Sequence, residues 1–147
     1  TRELKTTISD FNNLSGKRKG QLTYLDYKSN KPVSIPANTL FEMVSDSSFD
    51  QFIYYTDEPH KNADSRYTIR ENGRVLNNMK LVERKEEKEK LLLVFEYRGS
   101  DGNDNRMATM QRIMELSGKV LTITKMVKYD GENLFIQRHQ YRFTSVM

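Results

Sequence analysis

RMATMQRIMELSGKVLTITKMVKYDG, residues 106–131, is the stretch whose reading decides the fold of this chain. Its second half is rich in Thr, Ile, Leu and Val and lies between Ser117-Gly118 and Asp130-Gly131. Such pairs supply the positive φ angles of tight hairpins, so residues 119–129 read as a strand. The first half admits two readings. Met107, Met110, Ile113, Met114 and Leu116 fall near helical spacing, and a helix over 106–116 makes the protein α+β. The turns on both sides fit hairpins instead, so this segment too reads as a strand in an antiparallel meander.

The same punctuation recurs in both directions from there. Residues 17–27 form the first long strand and 28–31 a turn; Pro32 and Pro36 hold the next stretch at an edge or bend before a strand resumes over 38–45. Residues 49–56 carry Phe49, Phe52, Ile53, Tyr54 and Tyr55, and 57–64 is the most loop-like stretch, suited to a barrel mouth. Asn72-Gly73 separates 66–70 from 74–76, and the charge run 85–90 joins 79–84 to 91–98 as a solvated hairpin that guards against edge pairing. Residues 133–144 complete the set after the loop 99–105. About nine or ten strands close into an all-β, single antiparallel up-and-down barrel. Residues 1–10 read as a polar lead and 11–147 as the barrel domain, opened by a short helical or turn plug over 11–14 that Ser9 or Asp10 caps.

Composition agrees with a thin-walled shell. A chain of 147 residues supports one core, and 36% hydrophobic against 30% charged residues fits strands that each show one face to water. The net charge of +4 is interspersed, which reads as solvation. A nucleic-acid footprint needs a basic stripe with stacking aromatics, and the nearest approach is Lys17, Arg18 and Lys19 followed by Tyr24 and Tyr27. With no cysteine there is no disulfide, thiolate metal site or cysteine nucleophile. No apolar stretch approaches the ~20 residues of a membrane-spanning helix. The chain starts at Thr1, which fits a mature exported form, periplasmic or at the cell surface, or a tether below a lipid anchor.

Catalytic and metal chemistry finds little support. Glu42, Asp50, Glu96 and Glu115 fall on separate strands with nothing to pair them, so no general acid/base couple emerges. Ser15, Ser34, Ser100 and Ser117 sit in turn contexts, and Gly16 and Gly20 lack the strand-to-helix setting of a phosphate loop. His60 and His139 are the two histidines, too few for a multi-histidine metal centre. The expectation is a non-enzyme with no resident metal or cofactor. Leu14-Ser15-Gly16-Lys17 recurs as Leu116-Ser117-Gly118-Lys119, which reads as shared turn chemistry.

The last strand offers the best ligand-facing candidates. Phe135, Gln137, His139, Tyr141 and Phe143 alternate with Leu134, Ile136, Arg138, Gln140 and Arg142. With the first set inward, His139 projects beside Tyr141 toward a ligand, a metal or haem iron. With the second inward, Arg138 and Arg142 clamp an anion such as a fatty-acid carboxylate. Both parities stay open. The expected wall residues are His139, Tyr141 and Arg142, with Tyr24 and Tyr54 beside them.

Gly16-Lys17-Arg18-Lys19-Gly20, followed by Leu22 and Tyr24, resembles the first strand of lipocalin-like (calycin) barrels, whose signature is Gly, any residue, Trp. It is also similar to the opening of the nitrobindin group. Arg18 stands where the lipocalins carry Trp, and the chain contains no Trp. The resemblance implies a barrel that binds a small molecule, with Arg138 or Arg142 in the place of the arginine that packs over that Trp. The nitrobindin comparison gives His139 the haem-ligating place. The expected function is therefore non-catalytic binding of a small apolar or amphipathic ligand. The alternatives are a haem-binding protein and an exported interaction module with a filled barrel that works through loops 57–64 and 99–105.

Overall fold

Ten antiparallel strands form one closed barrel, in the order β1-β10-β9-β8-β7-β6-β5-β4-β3-β2. The computed structural model describes residues 4–26, 28–101 and 105–146. Tyr27, the far end of the predicted first strand, and the middle of the predicted loop 99–105 lie outside the described residues. A short helix α1 (Ile8–Phe11) and a 3-10 turn (Asn12–Leu14) precede β1 (Gly16–Leu25), β2 (Pro32–Met43) and β3 (Ser48–Tyr54). A 3-10 turn (Pro59–Lys61) leads to β4 (Ala63–Arg70), β5 (Val75–Leu76), β6 (Met79–Glu87), β7 (Lys90–Asp101), β8 (Arg106–Ser117), β9 (Val120–Tyr129) and β10 (Ile136–Ser145).

The ambiguous stretch is strand β8, paired along its whole length with β7 and over most of it with β9. Its methionines are split by the pleat: Met110 and Met114 are buried, while Met107 is 48% exposed. Helical spacing was a coincidence of an apolar alternation. Pro32 and Pro36 do not bend the chain, since β2 runs through both and pairs with β1 from Leu25↔Pro32 to Gly16↔Phe41. They are tolerated because β2 meets β3 only from Asn38 onward, which leaves the proline segment with one unpaired edge. The charge run is mostly strand, and the hairpin turns at Lys88-Glu89.

One end of the barrel is sealed. Phe11 and Leu14, 1% and 2% exposed, plug it against Phe41, Phe49, Leu121 and Phe143, and the Phe11 and Phe49 rings stack at 4.5 Å. The polar lead enters the fold earlier than its composition suggests: Thr6 is buried, its N–H donates to the Gly73 carbonyl at 2.8 Å, and Ile8 packs on the core. Neither Ser9 nor Asp10 caps α1, whose N-cap is Thr7 without a side-chain capping bond. Asp10 instead accepts from Thr6 Oγ1 and, at 2.8 and 3.0 Å, from the Arg84 guanidinium. Arg18, 5% exposed, closes the base by donating to the carbonyls of Asn13 and Lys119, both at 2.9 Å. The two Leu-Ser-Gly-Lys copies thus meet at one end of the barrel.

Toward the other end Ala108, Met110, Val127 and Tyr129 form a second buried cluster with Tyr97 packed against it, and the wall is low on one side. β5 is two residues long, and β6 pairs with β7 only from Lys80↔Glu96 downward. Residues 97–101 of β7 and 63–67 of β4 therefore rise above the β5–β6 hairpin without a ladder between them. The Asn77 side chain serves part of that free β4 edge, accepting from Thr68 N at 2.8 Å and donating to Arg66 O at 3.0 Å.

Candidate functional site

Pairing register fixes which side chains meet inside, because directly opposed residues share a face of the sheet. Buried Met114, Ile123 and Phe143 identify the inner face of β8, β9 and β10. One row up from them runs Phe95, Arg112, Lys125, His139 and Tyr24, each opposite the next across β7, β8, β9, β10 and β1. Beneath lies the row Leu93, Met114, Ile123 and Tyr141; above lies Tyr97, Met110, Val127 and Ile136. A belt with two cations and an imidazole thus crosses the interior between two mostly apolar rows. Arg112, Lys125 and His139 are half-buried, so the belt is not sealed from solvent as the floor is.

β10 departs from strict alternation, and this supplies a third cation. Its register shifts between Gln137 and His139, so Arg138 is taken up in a bulge. Gln137 is exposed, while the Arg138 side chain is 14% exposed. Arg138 donates to the Tyr129 hydroxyl, and its Nε lies 3.5 Å from Asp101 Oδ2. Asp101 also accepts from Lys125 Nζ at 2.9 Å and from the Tyr129 hydroxyl at 3.1 Å. Burial works to raise the Asp101 pKa, but these donors and their charges outweigh it and hold the carboxyl below its ordinary value.

Arg112 is placed differently. Its Nη2 lies 3.4 Å from Gln51 Oε1, a long contact, and its guanidinium carbon sits 4.9 Å from the centre of the Tyr67 ring. The Nε is buried without a hydrogen-bond partner, and no carboxylate lies within ion-pair distance of Arg112 among the described residues. Gln51 is itself buried and donates to Thr39 Oγ1 at 3.3 Å.

His139 is held neutral. Burial lowers its pKa to about 4, aided by the positive charges of Lys125 and Arg112. Its Nδ1 is buried and unpartnered, and its ring meets Tyr141 edge-on at 5.6 Å. The Tyr141 hydroxyl bonds that of Tyr55, and burial together with this bond pushes its pKa up.

Of the five side chains expected at the wall, His139, Tyr141 and Tyr24 lie on inner-face positions. Arg142 and Tyr54 do not. Arg142 pairs with Thr122 and Gln21 on the outer face and is exposed. Tyr54 is 42% exposed and borders an outer groove with Lys17, Lys19, Leu40 and Val146. Neither proposed parity of the last strand is complete, since the bulge brings Arg138 and His139 both inward. Arg112, Lys125, Asp101 and Gln51 were missed. The available signal was a cation interrupting an apolar alternation, Arg112 between Met110 and Met114 and Lys125 between Ile123 and Val127. Among the described residues no group of three or more His, Cys, Asp or Glu is placed to hold a metal ion.

No protein-family model matches this chain, and no curated protein matches it. Among solved structures it is similar to the crystal structure of Rv2717c from M. tuberculosis, with a TM-score of 0.62 and 9% identity over 95% of this chain and 97% of that chain. At that identity the likeness shows a shared barrel fold. No helix among the described residues is long and apolar enough to cross a membrane.

Proposed function

We propose that the protein binds a small, partly apolar molecule at the polar belt inside its barrel and releases it unchanged. The observation that carries this reading is the half-buried polar belt set directly above a sealed apolar floor. A fold that only needed a filled interior has no use for two cations and an unpartnered imidazole at that height, since burying such groups costs stability. Leu22, Val33, Ile35 and Ile53 line the β1–β3 wall, half-buried, and give an apolar ligand surface to cover at about 25 cal/mol per Å². Asp101 is ionised and engaged by Lys125, Arg138 and Tyr129, which argues against a role as general acid.

Native mass spectrometry of the purified protein, followed by denaturation to identify what is released, tests this reading. A bound small molecule of amphipathic character supports it. A bare mass that stays bare after incubation with a library of amphipathic compounds contradicts it, and favours a filled barrel acting through its loops.

A second reading has one observation in its favour. The neutral imidazole of His139, on an inner-face position, fits a single axial ligand to haem iron, whose chemistry would then reside in the group itself. Soret absorbance on haem titration, lost in His139→Ala, supports that reading, and no spectral change with added haem removes it.

A further inference from the structure

We infer that the β1–β2 and β9–β10 turns together dock the protein on an anionic phospholipid bilayer, with Leu134 inserted into the headgroup layer. The docking does not depend on what the barrel holds.

The two turns lie side by side. The β1–β10 ladder ends at Tyr24↔His139 and the β9–β10 ladder at Ile136↔Val127, so residues 28–31 and 130–135 run past the end of the paired wall on neighbouring strands. Below them the barrel is filled by the cluster of Ala108, Met110, Val127 and Tyr129. The β9–β10 turn closes with three consecutive apolar residues, Leu134, Phe135 and Ile136. Leu134 is 78% exposed and Ile136 40%. Met107, whose carbonyl accepts from Asp130 N at 3.0 Å, is 48% exposed at the foot of the same turn. No other large apolar side chain among the described residues is as exposed as Leu134. A lone surface leucine is ordinary, but an apolar run in a turn, where polar residues and glycine usually stand, is not.

Charge selects the partner. Asp26 is spent inside the β1–β2 turn, accepting from the N–H groups of Lys28 and Ser29 and from the Ser29 hydroxyl. Asp130 accepts two bonds from Arg98, at 3.0 and 2.7 Å, and Glu132 accepts one from Arg106 at 3.2 Å. Each carboxylate of the two turns is thus engaged, which leaves an excess of positive charge from Lys28, Lys31 and Lys128. Lys28 and Lys31 are exposed, and the Lys128 ammonium lies over the Phe135 ring, 5.4 Å from its centre. An apolar tip ringed by lysines is the arrangement of an interfacial anchor: the side chain enters the headgroup layer while the ammonium groups meet lipid phosphates. A protein partner demands a fitted pocket and fixed contacts, and a fluid bilayer demands neither. Lysine, a mobile point charge without a planar fork, suits phosphates that have no fixed positions.

Flotation with vesicles of phosphatidylcholine alone, and of phosphatidylcholine with about a third phosphatidylglycerol, tests this. The wild type is expected to bind the anionic vesicles, to leave the neutral ones, and to be released by high salt. Leu134→Ser should weaken binding at least about fivefold through lost apolar burial. Each lysine near an anionic surface contributes roughly fivefold, so Lys28→Glu combined with Lys31→Glu should weaken it by about 25-fold or more. Lys17→Glu combined with Lys19→Glu changes the net charge equally, but on the outer wall, and should stay within about threefold of the wild type. Since the chain has no tryptophan, Leu134→Trp reports directly: its emission should shift to the blue on anionic vesicles. No binding to anionic vesicles overturns the proposal. So does binding that survives Leu134→Ser, an unshifted Leu134→Trp, or equal loss in the two lysine pairs, which would mark unspecific attraction of a basic protein. None of these results touches the ligand reading of the barrel.

Discussion

Lys125 Nζ donates to Asp101 Oδ1 at 2.9 Å, whereas Arg112, directly opposite Lys125 across the β8–β9 ladder, meets no carboxylate among the described residues. The cationic belt is therefore compensated on one side and open on the other. Asp101→Asn removes the compensation. Lys125 and Arg138 then share an interior with no carboxylate between them among the described residues, and the loss should be about 2–3 kcal/mol, less than for a fully buried pair because Lys125 keeps some access to water. Thermal denaturation should show a melting temperature lower by roughly 5–10 °C. Unchanged stability contradicts the account of the belt.

His139 gives the protein a pH dependence of definite sign. Its pKa falls from 6.5 in the unfolded chain to about 4 in the folded one, so between those values the unfolded chain binds the extra proton. Its contribution is thus intact above pH 6.5 and is lost progressively as pH falls toward 4, amounting to roughly 3 kcal/mol across that window. Denaturant titrations at pH 7 and pH 4.5 should show this loss in the wild type and much less of it in His139→Gln. Equal slopes in the two proteins mean that the imidazole is not held neutral.

Arg18 carries the base of the barrel. Arg18→Met keeps the aliphatic stem but leaves the carbonyls of Asn13 and Lys119 without their donor. Hydrogen bonds from a charged donor contribute about 1.5–3 kcal/mol each, so a loss of roughly 3 kcal/mol is expected. Protection of the α1 and plug amides from hydrogen exchange should fall with it. A variant as stable as the wild type shows that the plug is held by Phe11 and Leu14 alone.

What could be read from the sequence, and what could not, follows from the range of the interactions involved. Ser117-Gly118 and Asp130-Gly131 are local signals, and they place β8 and β9 correctly without knowledge of any partner. Pro32 and Pro36 read as an edge or a bend, and that the edge is the outcome depends on β3 starting late, a fact about a neighbouring strand. The inward set of β10 depends on a bulge, and a bulge is invisible to a strict alternation of two. Arg142 and Tyr54 are suggested by residue type alone, because sequence does not reveal the inner face of their strands. Arg112 and Lys125 looked like ordinary solvated charges until register set them opposite each other on the inside. Arg18 was recognised as standing in a tryptophan's place, but its bond to Lys119 spans 101 residues and no local pattern encodes it.

Closure of the barrel makes a separate demand on one residue. A Cβ on Gly20 would lie 1.8 Å from the Arg142 carbonyl oxygen, in the ladder that joins β1 to β10. Backbone on one strand cannot yield there without parting the seam. Gly20→Ala should lose more than 3 kcal/mol, at the severe end for a single substitution, and should expose the β1–β10 amides to exchange. A melting temperature within 2 °C of the wild type contradicts the close packing of that seam.

The most direct test of the central claim is amide-resolved NMR of the wild-type protein during titration with the amphipathic probe dodecanoate. The account predicts shifts concentrated at the inner rows, around Tyr24, Phe95, Arg112, Lys125, His139 and Tyr141, with the sealed floor at Phe11 and Leu14 undisturbed. Shifts confined to the outer groove around Lys17, Lys19, Tyr54 and Val146, or no saturable shifts at all, contradict it.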